Sequence, residues 1–249
     1  MAKVLVTGSA GAVGRQACRE LLRRGHQLRG LDRIPTPGLS DALVADITDA
    51  DAVRAALGGC DAVVHLAAEP HDPEFVSGLV GPNVVGLYNV LHAARQEGIP
   101  RVILASSLQV APEKLGRPAR VDEAAPRNHY ALTKLWAEQM GEMYARCFGL
   151  HVLCARMTWM VRNIKEARHM DKVNRHDIYL SNHDAGRFFG QAVETPWTGF
   201  AVVFVASLGC EALFDMEPAR RIVGYVAQDR WPQGLAFKYP DDEDQPLSP

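Results

Sequence analysis

Thr7-Gly8-Ser9-Ala10-Gly11-Ala12-Val13-Gly14 stands between a short apolar run, Lys3-Val4-Leu5-Val6, and a stretch with helical spacing of apolar residues over 13–24. Each glycine in it has a use. Gly8 permits a sharp exit from a strand, Gly11 lets backbone N–H groups approach a pyrophosphate, and Gly14 lets the helix pack closely on the strand. The start of that helix carries a partial positive charge, so the backbone of Ala10, Ala12 and Val13 is a predicted phosphate cradle. A spacing of this kind is weak evidence alone, and its place between strand and helix is the context that confirms it.

Working outward, strands are expected at 3–7, 27–32, 43–46, 62–66, 102–105 and 151–156. Helices are expected at 13–24, 49–57, 74–97 and 129–147. Val-Leu-Val, Ala-Val-Val-His-Leu and Val-Ile-Leu are apolar at consecutive positions, as in parallel strands buried on both faces. Strand–helix alternation then predicts an α/β fold, a doubly wound parallel sheet of Rossmann type with right-handed crossovers. Residues 1–156 read as the nucleotide-binding core. Beyond it, 157–180 shows no clear period, and 186–193, 200–206 and 218–224 read as helix, strand and short helix, with Asp184 the expected cap of the first. This is too little for a second domain, so 157–240 is expected to be a small substrate-side cap on the core. The acidic, Pro-containing 241–249 reads as a disordered tail.

Asp32 closes the second strand. A carboxylate there accepts hydrogen bonds from the ribose hydroxyls of an adenosine and repels a 2′-phosphate, which favours NAD over NADP. Arg33, next to it, would attract that phosphate. Asp46 and Ile47 follow the third strand and either hold an adenine or form a turn or helix cap. Leu66, Ala67 and Ala68 follow the fourth strand, where small side chains leave room for the cofactor.

Tyr130 and Lys134 stand one helical turn apart on one face. A free tyrosine, with a pKa near ~10, is no base at neutral pH, and an adjacent ammonium favours its phenolate. The pair can then accept a proton from a substrate hydroxyl as hydride leaves the carbon. Ser107, after the fifth strand and Ala105, lies where ligands sit in parallel sheets, and its hydroxyl can orient the substrate oxygen. A lone Tyr/Lys pair is more often a plain surface pair, and its company with the glycine turn makes the difference.

In family order, TGxxGxxG at 7–14, Asp32, His65-Leu66-Ala67-Ala68, Asn83, Ser106-Ser107 and YxxxK at 130–134 together resemble the extended short-chain dehydrogenase/reductases, the NAD-dependent epimerase/dehydratase family. Within that family, Asn83-Val84-Val85-Gly86-Leu87-Tyr88-Asn89 and the short length are similar to the uronate dehydrogenases. The resemblance implies a Ser107–Tyr130–Lys134 triad, with Lys134 also on the nicotinamide ribose, and Asn83 as the helix asparagine that positions the site. It implies NAD as acceptor, oxidation of the anomeric carbon of a free sugar acid, and a homodimer built through 74–98 and 128–148. The chain departs from uronate dehydrogenases at Leu108-Gln109, where they carry Asn-His, and at Ala68-Glu69-Pro70-His71, where they carry a serine. Leu108, Gln109 and His71 therefore enter as candidate substrate contacts. Arg162, Arg168 and Arg175 are candidates to grip a substrate carboxylate through paired hydrogen bonds.

Two other readings use the same motifs. An epimerase or dehydratase would recycle NAD within one turnover, although no acidic residue follows Ser107. A regulator that senses NAD(H) would commonly have lost Tyr130 or Lys134. Composition excludes other classes. The 249 residues are 47% hydrophobic and 22% charged, with a net charge of -2, so no concentrated basic surface for nucleic acid is expected. No apolar run reaches the ~20 residues of a membrane span. A strand begins within three residues of Met1, which leaves no signal peptide and points to the cytoplasm. The five cysteines form no CxxC pair and read as buried free thiols, with Cys18, Cys147 and Cys154 in apolar runs. His169, His176 and His183 recur every seven residues without the spacing of a metal site, so no metal is expected.

Overall fold

The computed structural model describes residues 1–113 and 116–238. The expected tail at 241–249 lies outside the described residues. Seven parallel strands form the central sheet: β1 (Lys3–Thr7), β2 (Gln27–Asp32), β3 (Ala42–Val44), β4 (Ala62–His65), β5 (Arg101–Ser107), β6 (His151–Met157) and β9 (Phe200–Val205). Their order is β3-β2-β1-β4-β5-β6-β9. The chain reverses direction across the sheet between β1 and β4, which pair through Thr7↔His65. Such a switch point opens a crevice at the carboxyl ends of the strands. A separate two-stranded ribbon joins β7 (Trp159–Met160) to β8 (Tyr179–Leu180).

Consecutive apolar residues bury both faces of the sheet. Val4 and Val6 pack into one core with Leu21 of α1 (Ala12–Arg23) and with Phe188 and Phe189 of α6 (Asn182–Glu194). Leu5, Val63 and Val102 pack into the opposite core with Leu57 of α2 (Ala50–Leu57), Leu91 of α3 (Leu87–Gln96) and Tyr144 of α4 (His129–Phe148). Parallel strands buried on both faces account for the lack of alternation in the sequence.

Several elements differ from expectation. The helix expected at 74–97 begins as a wide π-type segment, Phe75–Gly86, and becomes regular only at α3. Pro82 lies inside that segment and has no N–H for the regular ladder, which favours the looser winding. Residues 157–180 are ordered: α5 (Ile164–Val173) stands between β7 and β8. Asn163 caps α5 through the Glu166 N–H at 3.0 Å, and Asn174 ends it in a left-handed conformation. α6 starts four residues before the expected 186. Its cap is Ser181 rather than Asp184, whose carboxylate is buried under the Ser207 hydroxyl and the backbone N–H groups of Gln228 and Asp229. β9 and α6 extend the core, one as the seventh strand and the other packed along α1. α7 (Glu217–Val223) completes the described elements. The cysteines are unpaired, and Cys147, expected to be buried, is exposed near the end of α4.

Candidate active site

The glycine turn is built as its spacing requires. Gly8 has φ +68°, and a side chain there would place its Cβ 2.7 Å from the Ala67 nitrogen of the loop after β4. A Cβ on Gly14 would enter the backbone of Gly8 and Ser9. Gly11 precedes α1 and supplies no side-chain cap, so the helix start keeps N–H groups for an anion. The turn borders a cleft of about 700 Å³, lined also by Asp32, Arg33, Asp46, Ile47, Leu66, Ala67 and Ala68.

The Asp32 carboxylate accepts the Ala10 N–H at 3.0 Å and the Ile34 N–H at 3.3 Å, which fixes it at the rim of the turn. Asp46 accepts both the N–H and the hydroxyl of Thr48 at 2.9 Å, a turn role that holds its pKa down while it borders the cleft. The true cap of α2 is Asp49. Behind the turn, Thr7 shares a 2.7 Å hydrogen bond with His65 and accepts the N–H groups of Leu66 and Ala67, each at 3.3 Å. Burial holds His65 neutral, with its pKa pushed down to about 3. Sequence reasoning missed this pair. The strand-end positions of both residues were its only signal.

At the other end of the crevice, α4 brings up Tyr130 and Lys134, both buried. The Lys134 ammonium donates to the Ala105 carbonyl at 3.1 Å and lies 5.7 Å from the centre of the Tyr130 ring. Burial lowers its pKa to about 8. Burial raises the Tyr130 phenol, a hydrogen bond with the Ser107 hydroxyl and the charge of Arg162 pull against that, and Glu69 adds to it. The structure therefore brings Ser107, Tyr130 and Lys134 together.

The supporting contacts are specific. Asn83 is buried, and its amide accepts the Glu69 N–H at 2.7 Å and donates to the Glu69 carbonyl at 3.1 Å and the Thr133 hydroxyl at 3.0 Å. It thus ties the loop after β4 to α4, while its neighbour Pro82 borders the cleft. Gln109 is exposed, and its carbonyl accepts from Asn128, the cap of α4, at 2.8 Å. Leu108 lines a separate 280 Å³ pocket with Arg117 and Arg175. Of the three arginine candidates, Arg162 borders the main cleft, Arg175 borders the smaller pocket, and Arg168 is exposed on α5. His71 is exposed, and its N–H reaches the Glu69 carboxylate at 3.1 Å.

Two further features were not read from the sequence. Asp72 accepts the Tyr130 N–H at 2.9 Å. Glu138, one turn beyond Lys134, pairs with Arg156 in the interior and accepts the Ser106 hydroxyl at 2.6 Å. Its i,i+4 repeat from Tyr130 and Lys134 was the available signal. Among the described residues no three His, Cys, Asp or Glu side chains gather as metal ligands, and no helix is long and apolar enough to cross a membrane.

A nucleotide cleft at the switch point and a tyrosine–lysine turn beside it belong together in the NAD-dependent short-chain dehydrogenase/reductases, the class of enzyme that this fold and site define. The chain belongs to the NAD dependent epimerase/dehydratase family, whose model matches residues 4–176. It is 31% identical to the L-arabinose 1-dehydrogenase (NAD(P)(+)) of Haloferax volcanii over 92% of this chain and 97% of that protein. It is 32% identical to the uronate dehydrogenase of Agrobacterium fabrum over 83% and 77% of the two chains. Among solved structures it resembles a point mutant of Agrobacterium tumefaciens uronate dehydrogenase complexed with NAD, with a TM-score of 0.79, 26% identity, and coverage of 91% and 84%.

Proposed function

We propose that this enzyme oxidises a hydroxyl of a free sugar or sugar acid, with hydride passing to NAD. The observation that carries the reading is the convergence of Ser107, Tyr130 and Lys134 at the carboxyl end of β5, beside the glycine-lined cleft. Two of its relatives are named for L-arabinose and for uronate, which supports the substrate class.

In this reading NAD is the hydride acceptor. The cleft suits it: side chains on Gly8 and Gly14 would fill the cradle, and Asp32 sits where ribose hydroxyls would donate. Gly8, Ala10, Gly11, Ala12, Val13 and Gly14 would hold the phosphates, and Asp46, Ile47 and Leu66 to Ala68 would flank the adenosine side. Asn83 would act by fixing the Glu69 loop rather than by touching the cofactor. Arg33 leaves a charge that a 2′-phosphate would use.

Ser107 would orient the reacting hydroxyl, and Tyr130 would take its proton as the phenolate. The Lys134 ammonium, 5.7 Å from the centre of the Tyr130 ring, would favour that phenolate, against a burial that opposes it. The segment after residue 156 would close over the substrate, since it brings Arg162 to the cleft. Pairing of two copies is supported by Tyr88, Leu132 and Trp136, which are exposed on the helices expected to pair.

The test is to mix the protein with NAD and a panel of aldoses and uronic acids and to follow NADH absorbance. NADH should form with at least one of them. Tyr130→Phe should slow its formation by roughly 10²–10⁴-fold, as for loss of a general base, with NAD binding retained. NAD binding without NADH on any sugar would refute the reading.

A further inference from the structure

We infer that the site selects an uncharged aldose over the corresponding sugar acid; the inference rests on the sugar-oxidation reading above. It follows from where the charges around Tyr130 are committed.

A substrate carboxylate beside the catalytic hydroxyl needs a free cation or free N–H groups. The first turn of α4 is the natural supplier of N–H groups. Two of its N–H groups are already taken: Asp72 accepts the Tyr130 N–H at 2.9 Å and Asn128 accepts the Ala131 N–H at 2.7 Å. Arg162 is the arginine whose charge reaches Tyr130. Its backbone N–H and its Nε bind the two oxygens of Glu166 at 2.9 and 2.7 Å, and its Nη2 lies 2.6 Å from one of them. The arginines of the smaller pocket are committed likewise, Arg175 to Asp177 at 2.9 Å and Arg117 to Glu123 at 2.5 Å. Arg168 borders neither space among the described residues.

The anions are less compensated. Glu69 borders the cleft, its charge is felt by Tyr130, and among the described residues it forms no ion pair. A uronate would bring a second carboxylate close to it, while Arg162 is already paired with Glu166 and Arg33, also on this cleft, stands beside Asp32 at the proposed adenosine end. An aldose would bring hydroxyls, and an ionised carboxylate is an acceptor only, so Glu69 is suited to receive them in charge-assisted hydrogen bonds.

The experiment compares kcat/KM for pairs that differ only at C6, glucose with glucuronate and galactose with galacturonate, at neutral pH and low salt. The neutral member should lead by about tenfold, the direction being set by repulsion between like charges. Added salt should narrow the gap by screening. Glu69→Gln should raise uronate turnover relative to the aldose, and Glu166→Gln, which releases Arg162, should do so independently. Uronates oxidised as well as or better than their aldoses would overturn the inference and leave sugar oxidation standing. NADH from neither member of either pair, nor from any other sugar of the panel above, would overturn both.

Discussion

Glu138 and Arg156 offer a direct test of how the site is held. Their side chains are 3% and 2% exposed. Arg156 Nε and Nη2 donate to the two Glu138 oxygens at 2.8 Å each, and its Nη1 donates to the Glu123 carbonyl at 2.8 Å. The Ser106 hydroxyl completes the set. Glu138→Gln keeps the shape and one acceptor but leaves the guanidinium buried without its counter-charge. Removing one partner of a buried pair typically costs about 3–5 kcal/mol. For a chain of this length the unfolding entropy near Tm is about 0.5 kcal/mol/K, so Tm should fall by roughly 6–10 °C. The double replacement Glu138→Leu with Arg156→Met should recover much of that loss, because apolar pairs of similar volume often replace buried ion pairs at little cost. Thermal unfolding followed by circular dichroism, with urea titration beside it, gives both numbers. A single-variant shift below about 2 °C, or a double variant less stable than the single, would refute the argument.

Three further outcomes follow from the same geometry. Lys134→Met should stabilise the protein at pH 7 by about 3 kcal/mol while cutting NADH formation at least 100-fold, because a lysine lowered from 10.5 to about 8 carries a buried charge that opposes folding; an unchanged or lowered Tm would contradict this. That penalty is fully present below pH 8 in the wild type and disappears as pH rises toward 10.5. His65 stays neutral when folded, with a pKa near 3 against 6.5 unfolded, so stability should fall by up to ~1.4 kcal/mol per pH unit as pH drops below 6.5. Urea midpoints from pH 7 to pH 4 should show this slope, and His65→Asn should flatten it. Gly14→Ala drives a Cβ against backbone atoms of Gly8 and Ser9, both 2.8 Å away, so NAD measured by calorimetry should bind at least ~10-fold more weakly, by roughly 1.4 kcal/mol.

The parts of the fold legible in the sequence are those decided by local pattern. β1 coincides with its expected bounds because a strand buried on both faces shows as an unbroken apolar run, and β2 does so although Arg29 interrupts its apolar residues. The glycine turn was legible because backbone geometry restricts the residues it tolerates. α5 was not, since Ala167 and Met170 are the buried residues among its charged ones. The start of α6 was misplaced for another reason: Asp184 has the chemistry of a cap, yet Ser207, Gln228 and Asp229 draw it inside. Partners that distant leave no mark at short spacing. The same holds for Asn83 with Glu69 and for Glu138 with Arg156, where the residue types were visible but the pairing was made by the sheet.

Tyr130, Lys134 and Glu138 recur at every fourth residue of α4, and all three are buried. Burial opposes ionisation of the first two, pushing Tyr130 up and Lys134 down. Proton transfer asks for the opposite, a phenolate beside an ammonium, so the proposed chemistry works against the packing at one end of this helix face. The other end is held by a complete ion pair that also grips Ser106, the neighbour of Ser107. Asn128, Asp72 and the Thr133–Asn83 bond secure the first turn from outside. A helix anchored on both sides of its two strained groups can keep them in place despite that cost. The stability contributed by Glu138 and the stability forfeited at Lys134 are therefore two aspects of one arrangement, and opposite signs for Glu138→Gln and Lys134→Met are its signature.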